Sequence, residues 1–165
     1  MGSNLGLTRR YGRAASGQRV RDQVPGDRGD NVSTIGALGA DGLRTGLSVP
    51  GAIDGETMLF FVEELLVPTL QRGDIVFMDN NPIHKLDEIE EAIEAVGAWV
   101  LFLPVYSPDL NPIENCWSKI KALLRSLKPR TSPDLLDALV TAFASITPHD
   151  IRGWFQHCGY RVAST

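Results

Sequence analysis

Two short apolar runs with one amphipathic stretch between them constrain this chain most. Asp74 to Asp79 (DIVFMD) and Trp99 to Leu103 (WVLFL) each read as a short buried strand. Between them Leu86, Ile89, Ile93 and Val96 fall on one face of a helix, with the glutamates outward and Gly97 at its end. Upstream, Val32 to Leu38 and Leu43 to Val49 are β-type runs joined by Gly39-Ala40-Asp41-Gly42, a hairpin loop. A helix is expected from about Gly55 to Leu70, with Met58, Phe61, Val62, Leu65 and Leu66 on one face. Another starts at Pro112 and carries Ile113, Trp117, Ile120, Leu124 and Leu127 on its apolar face. Helices near Pro133–Ser145 and Pro148–Cys158 each open with a Ser or Thr cap and a proline. The order β-β-α-β-α-β-α-α-α implies an α/β domain, a mixed sheet flanked by helices, over residues 32–165. Residues 1–31, rich in Gly and Arg, read as an irregular arm.

At 165 residues and 43% hydrophobic, the chain can build one real core. Its apolar runs are too short to span a bilayer, and Met1 precedes no signal-peptide stretch, so a soluble, cytoplasmic protein is expected. Cys116 and Cys158 match no metal or redox spacing and read as buried free thiols. The net charge of −4 argues weakly against nucleic acid, but its distribution argues the other way. Residues 1–31 carry six Arg against three Asp, and residues 115–130 carry Lys119, Lys121, Arg125, Lys128 and Arg130 with no acid. A DNA backbone could meet these segments while the Glu88–Glu94 face points away; plain solvated surface is the alternative.

Asp79 ends a strand, the place where open α/β sheets bind ligands. Glu114 lies in the first turn of the helix after the next strand, with 34 residues (80–113) between the two acids. If the strands neighbour each other, both carboxylates converge on one edge and can hold a hard divalent cation. Structural roles compete. Asp79-Asn80 is also an ordinary strand end and turn. Asn111, Pro112 and Glu114 also fit an N-cap, a first helical residue and the third position of a capping box.

The string Val76-Phe77-Met78-Asp79-Asn80-Asn81-Pro82-Ile83-His84-Lys85 resembles the second catalytic block of mariner-like bacterial insertion-sequence transposases. Leu103 to Lys121 (LPVYSPDLNPIENCWSKIK) resembles the third, and Thr8 to Ala14 resembles a segment found after the first. The 34-residue gap is also that family's spacing. The resemblance implies a ribonuclease H-like fold and Mg²⁺- or Mn²⁺-dependent DNA cleavage and strand transfer. Water, then a freed 3′-hydroxyl, would attack phosphorus in line. Asp79 and Glu114 would be the metal ligands, with Asn80, His84 and Asn111 supporting them. Lys85, Lys119, Lys121 and Arg125 would meet DNA, since Lys121 and Arg125 share the helix face of Glu114. Trp117 reads as core. Element ends and target DNA are the implied partners, with a homodimer or an intact transposase also expected. A bacterial, nucleoid-associated setting would follow.

The family uses a third carboxylate, an Asp on the first strand of the sheet. By the same alignment it would lie just upstream of Met1, and no acid precedes Asp22. The chain is therefore expected to lack the first strand, the first Asp and the family's N-terminal DNA-reading region. A truncated product, the second frame of a split element and a misassigned start all fit. A catalytically inactive fragment that only binds DNA or transposase is the alternative function.

Overall fold

The computed structural model describes residues 1–9, 11–23 and 26–162. Arg10, counted above in the basic arm and in the Thr8–Ala14 segment, lies outside them, as do residues 163–165. Strands β2 (Val32–Gly39) and β3 (Gly42–Pro50) form the expected hairpin, with a bulge between Ala37 and Leu38. Gly39 pairs with Gly42, so Ala40 and Asp41 alone make the turn. The arm does not begin as irregular chain. Gly2 and Ser3 form a short strand, β1 (Gly2–Ser3), antiparallel to β2. Beyond β1, the described residues up to 31 hold no helix or strand.

β4 (Ile75–Met78) and β5 (Trp99–Phe102) pair in parallel, with α2 (Asp87–Ala95) connecting them. Gly97 ends this unit with φ at 79°, a left-handed turn that a glycine makes without strain, and its carbonyl accepts the Gly73 N–H. The expected single mixed sheet is thus present as two hydrogen-bonded sheets, β1-β2-β3 and β4-β5. β1 is too short to bridge them.

Helices cover both sides. On one, α1 (Gly55–Phe60) runs on as a π-helical stretch (Phe61–Leu66) and a 3₁₀ turn (Val67–Thr69). Pro68 has no N–H with which to continue an α ladder there. Met58, Phe61, Val62 and Leu66 bury against Met78, Ile89, Ile93 and Ala98. On the other side α3 (Pro112–Leu127), α4 (Ser132–Ala144) and α5 (Pro148–His157) pack together. Trp117, Ile120 and Leu124 meet Leu135, Leu139 and Ala142 there. Thr131 with Asp134, and Thr147 with Asp150, close reciprocal capping boxes on α4 and α5. β2 serves both cores, with Val32 and Leu38 on the α3 side and Ile35 and Ala37 on the α1 side.

The strands β4 and β5 are not buried on both faces as the sequence suggests. Ile75 and Trp99, which pair, are 55% and 62% exposed, and Phe77 and Leu101 beside them are also exposed. Only the opposite face meets the α1–α2 layer. Val96 is likewise at the surface, past the last turn of α2.

β2 and α3 approach closely at Gly36. A Cβ at Gly36 would stand 2.8 Å from Cη2 of Trp117, closer than side chains tolerate. Gly36→Ala is expected to destabilise the fold by about 1–3 kcal/mol through overpacking. The loss should shrink in a Trp117→Leu background, where the ring is gone. Urea titration of the four proteins measures this coupling, and additive losses would contradict the packing described.

Candidate active site

The sequence places two acids at element ends, and the fold leaves both in water. Asp79 follows the last residue of β4 and is exposed. Its Oδ1 accepts the Asn81 N–H at 3.1 Å and lies 2.7 Å from Nδ1 of His84. A 3₁₀ turn (Pro82–His84), capped by the Asn81 side chain on the Ile83 N–H, folds His84 back onto Asp79. Oδ2 of Asp79 has no partner among the described residues. Asn80 points elsewhere: its side-chain amide donates to the Leu103 carbonyl and ties the ends of β4 and β5 together.

Glu114 occupies the first turn of α3 and is exposed. Asn111 caps this helix, its Oδ1 accepting the Ile113 N–H at 3.4 Å. The reciprocal half of the capping box expected from the sequence is not made. The Asn111 N–H goes instead to the Pro108 carbonyl, at 3.1 Å, in the 3₁₀ turn Pro108–Leu110. The Glu114 carboxylate is therefore free of the structural role that competed for it. The Tyr160 hydroxyl, donating to the Leu110 carbonyl at 2.9 Å, holds the loop before α3 from the C-terminal side.

Asp79, His84, Asn111 and Glu114 line one cavity of about 540 Å³, and Asn81 and Met1 line it too. The Met1 amino group registers the convergence. Its pKa is lowered, first by burial and then by Lys121, while Glu114 and Asp79 pull it up. One amino group thus lies within electrostatic reach of both acids and of Lys121. Sequence reasoning did not single out Asn81, although an Asn before proline is a recognisable turn and cap. Among the described residues no group of three or more His, Cys, Asp and Glu comes together as a metal cage.

The cations expected at DNA separate into two sets. Lys121 and Arg125 follow Glu114 along α3, and Lys85 is exposed with its Nζ 5.5 Å from the centre of the Phe102 ring. Lys119 is committed within the protein. Its Nζ pairs with Asp150 at 2.5 Å and donates to the Ser145 carbonyl at 3.0 Å, pinning α3 to the start of α5. Both thiols are buried, and burial pushes the Cys116 pKa up to about 12, so it is inert as a nucleophile at neutral pH.

A family model described as DDE superfamily endonuclease matches residues 1–136. The chain belongs to the DDE superfamily endonucleases. A Caenorhabditis briggsae protein, the transposable element Tcb2 transposase, is 30% identical over 78 residues, covering 47% of this chain and 29% of that protein. The fold matches the Mos1 mariner paired end complex with Mn, with a TM-score of 0.78 at 17% identity, covering 96% of this chain and 50% of that one. The catalytic domain of Mos1 mariner transposase matches with a TM-score of 0.64 at 16% identity, over 78% of this chain and 69% of that domain. The fold is thus ribonuclease H-like, and the chain spans about half the length of the full Mos1 structure. Among the described residues no helix is long and apolar enough to cross a membrane.

The Lys119 pair has a measurable pH signature. The Lys119 ammonium, then the Thr147 hydroxyl, hold the Asp150 carboxyl at about 2 against its ordinary 3.8. The stabilisation is whole above the ordinary value and is lost as pH falls from there through about 2. Asp150→Asn should flatten the acid limb of a stability–pH profile measured by urea unfolding. An unchanged acid limb would contradict the pairing.

Proposed function

We propose that this chain is the catalytic portion of a transposase that cuts and joins DNA with Mg²⁺ or Mn²⁺ held by Asp79 and Glu114. One observation carries the reading: two exposed carboxylates, one on a strand end and one on a helix start, line the same cavity. The donor set fits such an ion. Mg²⁺ takes oxygen ligands and is often held by one or two carboxylates, with water and substrate phosphate completing the shell. The Tcb2 and Mos1 relatives are transposases, and one Mos1 complex contains Mn.

When bound, the ion supplies positive charge that activates an attacking hydroxyl and stabilises the leaving oxygen of a phosphodiester. The protein's own groups prepare that chemistry. Asn81 and His84 hold one oxygen of Asp79, which fixes the direction of the other. The Asn111 cap fixes the first turn of α3 and so aims Glu114. Asn80 keeps the Asp79 strand end in place through β5. Lys121, Arg125 and Lys85 are the cations proposed to meet DNA phosphates, and Lys119 contributes indirectly by holding α3. A third carboxylate belongs to this reading, and residues 1–21 contain no acid. The unpaired edge of β4 beside Asp79 favours a second reading, in which the chain binds DNA or an intact transposase without cutting.

Calorimetric titration with Mn²⁺ and plasmid nicking test both. Asp79→Ala and Glu114→Ala should each abolish Mn²⁺ binding and lower any nicking by more than the ~10–100-fold typical of losing a ligand-orienting group. His84→Ala should fall within that smaller range. Unchanged Mn²⁺ binding in both carboxylate variants would refute the site. A wild-type chain that binds Mn²⁺ and DNA but leaves the plasmid intact would select the second reading.

A further inference from the structure

α5 ends in a glycine that carries the chain on to Tyr160. Gly159 is left-handed, with φ at 87°. Its N–H donates to the Gln156 carbonyl at 3.0 Å, and the Tyr160 N–H donates to the Phe155 carbonyl at 2.9 Å. This pair of bonds closes a Schellman turn, which commonly packs the residue after the glycine against the last turn of the helix. Here that contact is aromatic: the Tyr160 and Phe155 rings meet edge to face with centroids 5.8 Å apart. Tyr160 is thus placed by backbone geometry and by packing before its outer contacts are made.

Those contacts reach both halves of the carboxylate site. The Tyr160 ring meets Phe77 edge to face, centroids 5.4 Å apart, and Phe77 stands on β4 just before Met78 and Asp79. The Tyr160 hydroxyl donates to the Leu110 carbonyl at 2.9 Å. Leu110 directly precedes Asn111, which caps α3 and whose carbonyl accepts the Glu114 N–H at 3.1 Å. Tyr160 and Phe155 also line the cavity that Asp79 and Glu114 line. Burial first, and then Cys158, raise the hydroxyl pKa above the ordinary tyrosine value, so the group stays protonated and donating at neutral pH.

We infer, resting on the reading of Asp79 and Glu114 as ligands of Mg²⁺ or Mn²⁺, that Tyr160 is a positioning residue of their site: its ring on β4 and its hydroxyl on the loop before α3 fix the separation of the two carboxylates. The cores do not make this brace redundant. β4 and α3 are seated in different hydrophobic clusters, and Phe77 lies on the face of β4 that the α1–α2 layer leaves open. The start of α5 is held to α3 by the Lys119–Asp150 pair. α5 therefore spans from a bond on α3 to an aromatic contact on β4. A hard cation needs both carboxylate oxygens at a fixed spacing, so a brace that removes other spacings strengthens binding by preorganisation.

The test uses the full chain and Tyr160→Phe, which keeps the ring and removes the hydroxyl. Amide hydrogen exchange followed by NMR without metal should quicken at Ile113 and Glu114 by about two- to tenfold, the range of one hydrogen bond's net contribution. Exchange at Ile120, in the core of α3, should not change. Calorimetric titration should show Mn²⁺ affinity lowered by about two- to tenfold as well, where Asp79→Ala abolishes it. Phe77→Ala removes the anchor on β4 and should also weaken Mn²⁺, with a loss less than additive to that of Tyr160→Phe, because both break one brace. Unchanged exchange at Glu114 would overturn the inference, and so would exchange quickened equally at Ile120, which would mark general destabilisation. Faster exchange with Mn²⁺ affinity unchanged would overturn it too, leaving the hydroxyl a loop anchor only, as would additive losses. Wild type and Asp79→Ala titrating alike would instead sink the carboxylate reading, and the role of Tyr160 with it.

Discussion

The approach of Trp117 to the bare backbone of Gly36 is the contact on which the rest depends. It brings α3 against β2, and the α3 core of Ile120 and Leu124 then seats α4. α3 carries Glu114 at its start and Lys121 and Arg125 along its length. The position of half the candidate site is therefore decided by a glycine with no chemistry of its own. The other half hangs from β4, which is placed by a different core, where Met78 packs against Ile89 and Ile93. Two hydrophobic layers, both packed against β2, bring Asp79 and Glu114 to one cavity.

The fold treats its acids in two ways. Asp54, Asp134 and Asp150 are used in helix caps, and their pKa values are lowered by the hydroxyls or ammonium bonded to them. In each, one carboxylate oxygen does this work: Oδ1 of Asp54, Oδ2 of Asp134 and Oδ2 of Asp150. Asp79 keeps one oxygen unpartnered while the other is clamped, and Glu114 forgoes the capping bond its position would allow. Exposed acids on α2 are idle too, but they converge on nothing. Convergence on one cavity separates the candidate ligands from the capping acids and from surface charge.

Much of this was legible in the sequence because local chemistry and the final fold agree. The hairpin at Ala40-Asp41, the end of α2 at Gly97, and the caps at Asn111 and Thr147 follow from turn and cap preferences, while α4 starts at Ser132 with Thr131 as its cap, one residue before the expected start at Pro133. The Asp79 and Glu114 placements follow from element boundaries and a long motif. What was not legible depends on distant partners. Lys119 looked like a DNA cation because Asp150 lies 31 positions away. The apolar runs of β4 and β5 suggested burial on both faces, but no periodicity reveals that one face is left open. The split sheet is a pairing outcome, invisible to any local pattern.

Anomalous X-ray diffraction from crystals grown with Mn²⁺ tests the central claim most directly. The account predicts a peak within ligand distance, roughly 2.0–2.6 Å for hard divalent cations, of a carboxylate oxygen of Asp79 and of Glu114 alike. A peak bound by only one of them, or by the α2 glutamates, or no peak at all, would contradict it.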